Sequence, residues 1–162
     1  MLRDAGASQV SEAKLWDDIQ KGMMARWHAQ RHEDKHSKGI PDVSFGIRKR
    51  TDGWMELKFL PHLPTFSDKP WDFRIDHFTP EQRNWAEMRT KHGPGRVFLL
   101  CRFGPDLTAV WNWSRIRGLL GQATLDTVIR AANAQWWHTP IDFEELENVL
   151  ANNRVIQPRY RL

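Results

Sequence analysis

The hydrophobic positions of the first thirty residues follow a helical period. Apolar side chains recur at spacings close to 3.6, at Ala13, Leu15, Trp16, Ile19, Met23, Met24 and Trp27. This pattern predicts an amphipathic helix over about 9–31, capped by Ser8 or Ser11. The polar segment RHEDKHSKG that follows ends at Gly39, where a turn should lead into Pro41.

Beyond Pro41 the hydrophobic period changes to that of β-strands. Residues 42–47 and 54–59 alternate between apolar and polar or small side chains, and a turn containing Asp52-Gly53 separates them. Two such segments joined by a short turn predict a β-hairpin. The proline-rich segment that follows, over 60–78, predicts an irregular loop.

The second half of the chain predicts a helix, two strands and further helices. Thr79 and Pro80 mark a helix start, and that helix should end near the turn at 93–95. The remaining predicted elements are strands over 97–103 and 107–113, then helices over about 114–120, 124–136 and 142–152. Elements in this order predict an α/β fold with a central mixed β-sheet of four to five strands flanked by helices.

Length and composition fit one folded domain. The chain has 162 residues, 40% of them hydrophobic and including 9 Trp, which suffices for a substantial core and excludes disorder. We expect a single domain over 1–162, with its core at about 8–113 and a helical extension at about 114–162. The lone Cys101, inside an apolar run, predicts a buried structural thiol.

Membrane insertion and secretion are not expected. No apolar run approaches the roughly 18 residues that span a bilayer. The N-terminal segment MLRDAGASQVSEAK lacks the apolar core of a signal peptide. We therefore expect a cytoplasmic protein without a membrane partner.

The net charge of +4 is unevenly distributed along the chain. Basic residues crowd the first third, at Lys21, Arg26, Arg31, Lys35, Lys38, Arg48, Lys49 and Arg50. Acidic residues cluster near the end, at Asp142, Glu144, Glu145 and Glu147. A basic region suits a polyanion such as nucleic acid, because neutralised phosphates release counterions. A solvated basic face would explain the same pattern.

Three ionisable residues of the predicted hairpin should converge. Glu56 and Lys58 are two apart on one strand, so they share a face while Leu57 points to the core. Asp42 begins the partner strand and should lie near both. Two carboxylates this close repel each other, which a divalent cation such as Mg²⁺ relieves. Glu12, on the apolar face of the first helix, needs a partner and is the expected fourth member.

These residues resemble the signature of the PD-(D/E)XK nuclease superfamily: Pro-Asp, a spacer, then an acid, any residue and Lys. The matching segments are GIPD at 39–42 and GWMELK at 53–58. The segment TPEQRNW at 79–85, followed by a glycine turn and the strand VFLLCRFG, is similar to small phage and virus-type nucleases. These include junction-resolving endonucleases and VRR-NUC modules. The resemblance covers roughly 8–110.

The resemblance implies a restriction-endonuclease-like core and a role for each motif residue. Asp42 and Glu56 would hold Mg²⁺, which Mn²⁺ should replace, and the same resemblance implies the Leu57 carbonyl as a further ligand. Lys58 would serve the nucleophilic water, and Glu12 matches the acid of the helix. A phage-encoded enzyme of this kind would act in the host cytoplasm. The alternative is an ordinary hairpin with a surface Glu-Lys pair.

Other polar residues are candidates for contacts with substrate. The expected substrate-binding residues are Arg31, Lys35, Ser37, Lys38, Gln82 and Arg83, of which Arg31, Lys35 and Lys38 suit phosphate contacts. Gln82 could equally make a structural hydrogen bond. Residues His28, His32 and His36 recur every four positions, which suits either a zinc site on one helical face or a solvated helix end. Most tryptophans should be core, and only Trp71 is expected to be exposed for base stacking.

The sequence thus predicts a Mg²⁺-dependent deoxyribonuclease whose partner is DNA. The leading hypothesis is an endonuclease, with a preference for branched DNA such as Holliday junctions implied by the resemblance alone. A less selective or exonuclease-like enzyme is a second hypothesis. A catalytically inactive nucleic-acid-binding protein with a nuclease-like fold is the alternative of a different class. Resolution of symmetric junctions would require a homodimer, because two coordinated cuts need two sites related by a two-fold axis.

Overall fold

A six-stranded mixed sheet organises the fold. The computed structural model describes residues 4–32, 39–63, 73–138 and 140–152. Within these ranges the strands lie in the sheet in chain order, with β3 and β4 parallel and every other neighbouring pair antiparallel. The strands are β1 (Trp27–Arg31), β2 (Val43–Ile47), β3 (Thr51–Leu60), β4 (Val97–Phe103), β5 (Leu107–Asn112) and β6 (Ala134–Trp137).

Helices cover both faces of the sheet and create two hydrophobic cores. The helices are α1 (Asp4–Gly22), α2 (Pro80–His92), α3 (Trp113–Ile116), α4 (Leu125–Arg130) and α5 (Phe143–Asn152). One core packs α1 and α5 against the first face. The other packs α2, α3 and α4 against the opposite face. This arrangement confirms the predicted α/β class with a helix-flanked mixed sheet, although the sheet has six strands instead of four to five.

The prediction of one helix over 9–31 is wrong in its second half. Helix α1 ends at Gly22, where a Cβ atom would lie 1.9 Å from a ring carbon of Phe143. The chain then forms β1, whose Trp27 and Ala29 face the core while His28 is exposed. Apolar and polar side chains alternate in this short segment, and it forms a strand because β2 pairs with it.

The predicted helical row of histidines is therefore also wrong. His28 lies on β1, and His32 immediately follows that strand. His36 lies outside the described residues. Since His28 and His32 are on or beside a strand, the helical spacing that favoured a zinc site does not exist.

The predicted helix over 124–136 is shorter and is followed by a strand. Helix α4 ends at Arg130, and β6 pairs antiparallel with β5. The buried Asn133 directs this change, because its backbone N–H donates to the Val110 carbonyl at 2.8 Å. Its side-chain Oδ1 accepts from the Asn112 N–H at 2.7 Å. These bonds hold the chain beside β5, where a helix could not continue.

A buried carboxylate fixes α5 to the first strands. Glu147 accepts hydrogen bonds from Arg26 Nε at 2.7 Å, Arg50 Nη1 at 2.5 Å and Trp27 Nε1 at 2.7 Å. Burial alone would raise the pKa of Glu147, but the donors Arg50, Trp27 and Arg26 outweigh it and lower that pKa. The C-terminal helix is thereby tied to the sheet through charge-assisted hydrogen bonds.

Two further predictions concern burial and membranes. Cys101 is a free thiol, fully buried in β4, as predicted. None of the helices in the described ranges combines the length and the apolar character needed to cross a bilayer.

Candidate functional site

The hairpin of β2 and β3 brings the predicted acids and lysine together. Val43 pairs with Met55, and the same register continued by one residue places Asp42 opposite Glu56. The Leu57 N–H donates to Asp42 Oδ2 at 2.9 Å, and the Asp42 carbonyl accepts from the His32 N–H at 2.7 Å. The carboxylate of Asp42 is thus held against the backbone of β3.

Glu56 and Lys58 form a buried pair on the same face of β3. Their residues are only 3% and 4% exposed, and Lys58 Nζ donates to Glu56 Oε1 at 2.5 Å. The amide nitrogen of Gln82 donates to the same oxygen. The other oxygen, Glu56 Oε2, is buried and has no hydrogen-bond partner among the described residues. One half of the carboxylate is therefore fixed, and the other is available to a ligand that brings positive charge.

The start of α2 sets the orientation of Gln82. Thr79 caps the helix, with its Oγ1 accepting from the Gln82 N–H at 3.2 Å and its own N–H donating to Gln82 Oε1 at 2.9 Å. Pro80 occupies the first helical turn. This reciprocal capping box uses the carbonyl side of the Gln82 amide, which leaves its NH₂ side to reach Glu56.

A glycine in the approach to the site contacts the same end of α2. Gly39 has a φ of +93°, and a Cβ atom there would lie 2.6 Å from the Glu81 carbonyl oxygen. Only glycine fits this conformation and this separation without strain. The close approach fixes the chain just before Asp42 against the first turn of the helix that carries Gln82.

Carboxylates outnumber the buried lysine at this site. Burial and the negative charge of Asp42 raise the pKa of Glu56 to about 8, although Lys58 opposes this shift. Burial also raises the pKa of Glu12, with a further contribution from Asp42. Burial by itself would lower the pKa of Lys58, but Glu56, Asp42 and Glu12 together raise it. Lys58 is therefore protonated, and it is a single positive charge among several carboxylates.

Glu12 lies at the edge of this group and contacts a histidine that sequence reasoning missed. Glu12 Oε1 lies 3.6 Å from His77 Nε2. Burial and the nearby Lys58 lower the pKa of His77, so the neutral ring does not form an ion pair with Glu12 at neutral pH. Both residues also hydrogen-bond to the Phe59 backbone. His77 lies in the proline-rich segment 60–78, whose sequence has no periodic pattern, so no signal in the sequence pointed to it.

The arrangement was tested for its fit to a divalent metal. In the described ranges, no group of three or more His, Cys, Asp or Glu side chains converges tightly enough to hold a metal ion alone. Magnesium needs less, since one or two carboxylates usually suffice together with water and substrate phosphate oxygens. The unpartnered Glu56 Oε2 and the adjacent Asp42 carboxylate match that smaller requirement.

The predicted substrate-binding residues differ in where the structure places them. Gln82 lies in the site, as described above. Arg83 turns away, because its Nε donates to the Phe78 carbonyl at 3.2 Å and its guanidinium lies 5.5 Å from that ring centre. Arg31 pairs with Val43 at the end of β1, and its charge opposes the effect of burial on the Glu12 pKa. Predictions for Lys35, Ser37 and Lys38 fall outside the described residues.

Comparison with known proteins gives a likeness in structure but none in sequence. No protein-family model matches the sequence, and no curated protein matches it. The fold is similar to that of Hjc, a Holliday junction resolvase from the archaeal hyperthermophile Archaeoglobus fulgidus. The two share 14% sequence identity over 75% of this chain and 90% of that one, with a TM-score of 0.49. At this level the likeness carries no argument about activity, which rests on the site.

Proposed function

We propose that this protein is a metal-dependent DNA endonuclease of the PD-(D/E)XK type with a restriction-endonuclease-like core. One observation carries the proposal: the Glu56 carboxylate has one oxygen held by Lys58 and Gln82 and the other buried without a partner beside Asp42. An orphaned buried carboxylate oxygen is costly in a structural role. It is expected where a cation binds.

Different residues of the chain would bind the metal and add charge around the scissile phosphate. Asp42 and Glu56 would hold Mg²⁺ or Mn²⁺, and Glu12 would add negative charge at the edge of the site. The assignment of the Leu57 carbonyl as a further ligand rests on the sequence resemblance alone. When bound, the metal supplies Lewis acidity that polarises the phosphate and lowers the pKa of a coordinated water.

Lys58 would act as a cation in the reaction. Its raised pKa keeps it protonated, so it suits positioning of the attacking water and stabilisation of charge on the phosphate oxygens. Attack of water on phosphorus forms one P–O bond while the P–O bond to the departing oxygen breaks, and the proton that the water loses to solvent balances the one that the departing oxygen takes up. Gln82 is a positioning residue, because it contacts Glu56 and reaches the chemistry only through that carboxylate.

The finer substrate preference follows from the sequence resemblance. We propose DNA as the partner and branched DNA, including four-way junctions, as the preferred form. Resolution of a symmetric junction would require a homodimer. The resemblance to phage nucleases would place the enzyme in the cytoplasm of a host cell.

Cleavage of defined DNA forms tests the proposal. Labelled linear duplex, single-stranded, flapped and four-way-junction DNA would be incubated with Mg²⁺, Mn²⁺ or a chelator. We expect metal-dependent cutting that falls at least about 100-fold in Asp42→Ala, Glu56→Gln and Lys58→Ala. Asp126→Asn, which changes an exposed carboxylate of α4, should cut like the wild type. Tight DNA binding without any cutting would favour the inactive binding protein instead.

A further inference from the structure

An aromatic cluster adjoins the site on the same face of the sheet. Trp54 precedes Glu56 by two residues on β3, so both side chains project to one side and lie roughly 6.6 Å apart along the strand. The Trp54 ring lies 5.4 Å from that of His32 and 5.1 Å from that of Trp85. His32 Nε2 is fixed by a 2.8 Å hydrogen bond with Ser44 Oγ. We call His32, Ser44, Trp54 and Trp85 the aromatic shelf.

The shelf belongs only in part to the core. Trp54 is in neither hydrophobic core, although Trp85 packs against one of them, and both side chains are half-buried. The rings of His32 and Trp85 are inclined to that of Trp54 by 36° and 67°, so neither stacks parallel on it. A Cβ atom added at Gly46 on β2 would meet nothing within 4 Å. Among the described residues, the sheet beside the shelf is therefore open.

Positive charge lies at the far end of the shelf. A cavity of about 190 Å³ there is lined by Ser44 and Trp54 together with Arg89 and Arg96. Arg89 is exposed at the last turn of α2. Arg96 contacts Asp52 at 3.4 Å, but that carboxylate is 83% exposed, so the pair is weak and leaves the guanidinium able to meet a phosphate.

We propose that the aromatic shelf binds an unpaired nucleotide of a DNA strand adjacent to the bond that is cut. This deepens the proposed function and rests on it. The base stacks on the Trp54 ring beside Trp85, and Arg89 contacts the neighbouring phosphate. A base within duplex DNA has both faces covered by its neighbours, whereas an unpaired base can leave the stack. The shelf thus selects strand ends, flaps or junction openings without reading sequence.

Binding without cleavage tests the proposal. Fluorescence anisotropy of the full chain with a labelled flapped duplex, in chelator, isolates binding from cutting, and the duplex fixes the register of the single-stranded flap. An abasic residue moved along the flap should weaken binding about tenfold at one position. Trp54→Leu should weaken binding of the intact strand equally and remove that position dependence, while Trp54→Phe should restore most of it. Trp137→Leu, which removes a 43% exposed tryptophan on the distant β6, should change nothing.

The phosphate contact has its own measurement. Arg89→Gln should reduce the slope of log affinity against log salt by about 0.7, the value for one phosphate of a single strand. Arg130→Gln, which removes an equal charge on α4, should leave the slope unchanged. This variant and the abasic scan of the wild type decide the case even if Trp54→Leu fails to fold.

The outcomes separate this proposal from the nuclease. A loss of affinity that depends on the position of the abasic residue, and that disappears in Trp54→Leu, supports the shelf. This result would hold whether or not the protein cuts DNA. Absence of cutting in the cleavage assay would overturn the nuclease alone. Equal affinity of all abasic strands, or an abasic loss that persists unchanged in Trp54→Leu, would overturn the shelf while leaving any cutting intact.

Discussion

The double role of Gln82 allows helix stability and catalysis to be separated by mutation. Thr79→Ala removes the cap but leaves the Gln82 NH₂ group, and should cost about 1 kcal/mol of stability. Gln82→Glu keeps the acceptor that bonds the Thr79 N–H, because Glu also forms a capping box. It replaces the donor to Glu56 with a second carboxylate. The first change should mainly affect unfolding, and the second mainly cleavage.

The magnitude for Gln82→Glu follows from the lost bond. A hydrogen bond to a charged group is worth about 1.5–3 kcal/mol. If the bond positions Glu56 in the transition state, its loss slows cleavage by about 10- to 150-fold. Gln82→Leu removes the donor without adding charge, so it isolates the hydrogen bond from the extra repulsion.

The pH profile of cleavage distinguishes positioning from simple loss of structure. A new carboxylate beside Glu56 raises the pKa of that group further, so the acid limb of the profile should move to higher pH in Gln82→Glu. The shift should be smaller in Gln82→Leu. Urea unfolding of each variant would give the stability change, and single-turnover cleavage across pH would give the rate. Equal slowing by Thr79→Ala and Gln82→Glu, with no movement of the profile, would refute the reasoning.

Four other perturbations have defined outcomes. Glu147→Gln should lower the free energy of unfolding by about 2 kcal/mol, since buried charge-assisted hydrogen bonds are lost. Folding lowers the pKa of Glu147, so this difference from the wild type should be fully present above pH 4.5 and should fade as the pH falls below that value. The metal-free wild type should lose stability as pH rises from 4.5 to about 8, because folding raises the pKa of Glu56. Glu56→Gln should lose less, since only the raised pKa of Glu12 then remains. Saturating Mg²⁺ should raise the Tm of the wild type but not of Asp42→Ala. Gly39→Ala should cost about 1–2 kcal/mol and slow cleavage, whereas Gly46→Ala, with open space around it, should do neither.

For three of these perturbations, one result would contradict the prediction. If the difference in stability between Glu147→Gln and the wild type did not change with pH, the Glu147 carboxylate would not be charged in the folded protein. An equal pH dependence of wild type and Glu56→Gln would remove Glu56 as the raised group. A Gly39→Ala protein as stable and active as Gly46→Ala would mean that the contact with α2 does not position Asp42.

The sequence was most informative where local pattern and site chemistry coincide. The period of two over 42–47 and 54–59 predicted the hairpin that brings Asp42 close to Glu56 and Lys58. The predicted turn was misplaced, because it lies at 48–50 while Asp52 and Gly53 belong to β3, and the exact register followed only from the structure. Helix α2 was also predictable, because Thr79 and Pro80 are strong local start signals. Gln82 was left between a structural and a site role, and the structure shows that its amide serves both contacts.

The remaining features depend on contacts between distant segments. Strands β1 and β6 are short, and each forms because a neighbouring strand offers a ladder of hydrogen bonds. Their residues continue apolar patterns that also suit helices, so local sequence did not separate the alternatives. Trp54 was expected in the core because it lies at strand spacing, like most of the tryptophans. Its spacing of two from Glu56 already fixed its face of β3, but how much of that face a helix covers is decided only by the complete sheet.

The parallel pairing of β3 with β4 has a consequence for synthesis of the chain. A nascent chain that has emerged as far as Leu60 already contains every acid and the lysine of the motif. It lacks the crossover through α2, and with it Gln82 and the strand against which β3 is buried. Such long-range closure is slow compared with hairpin formation. The proposed site is therefore completed only after β4 has emerged from the ribosome, so an incomplete chain carries the motif but not the whole site.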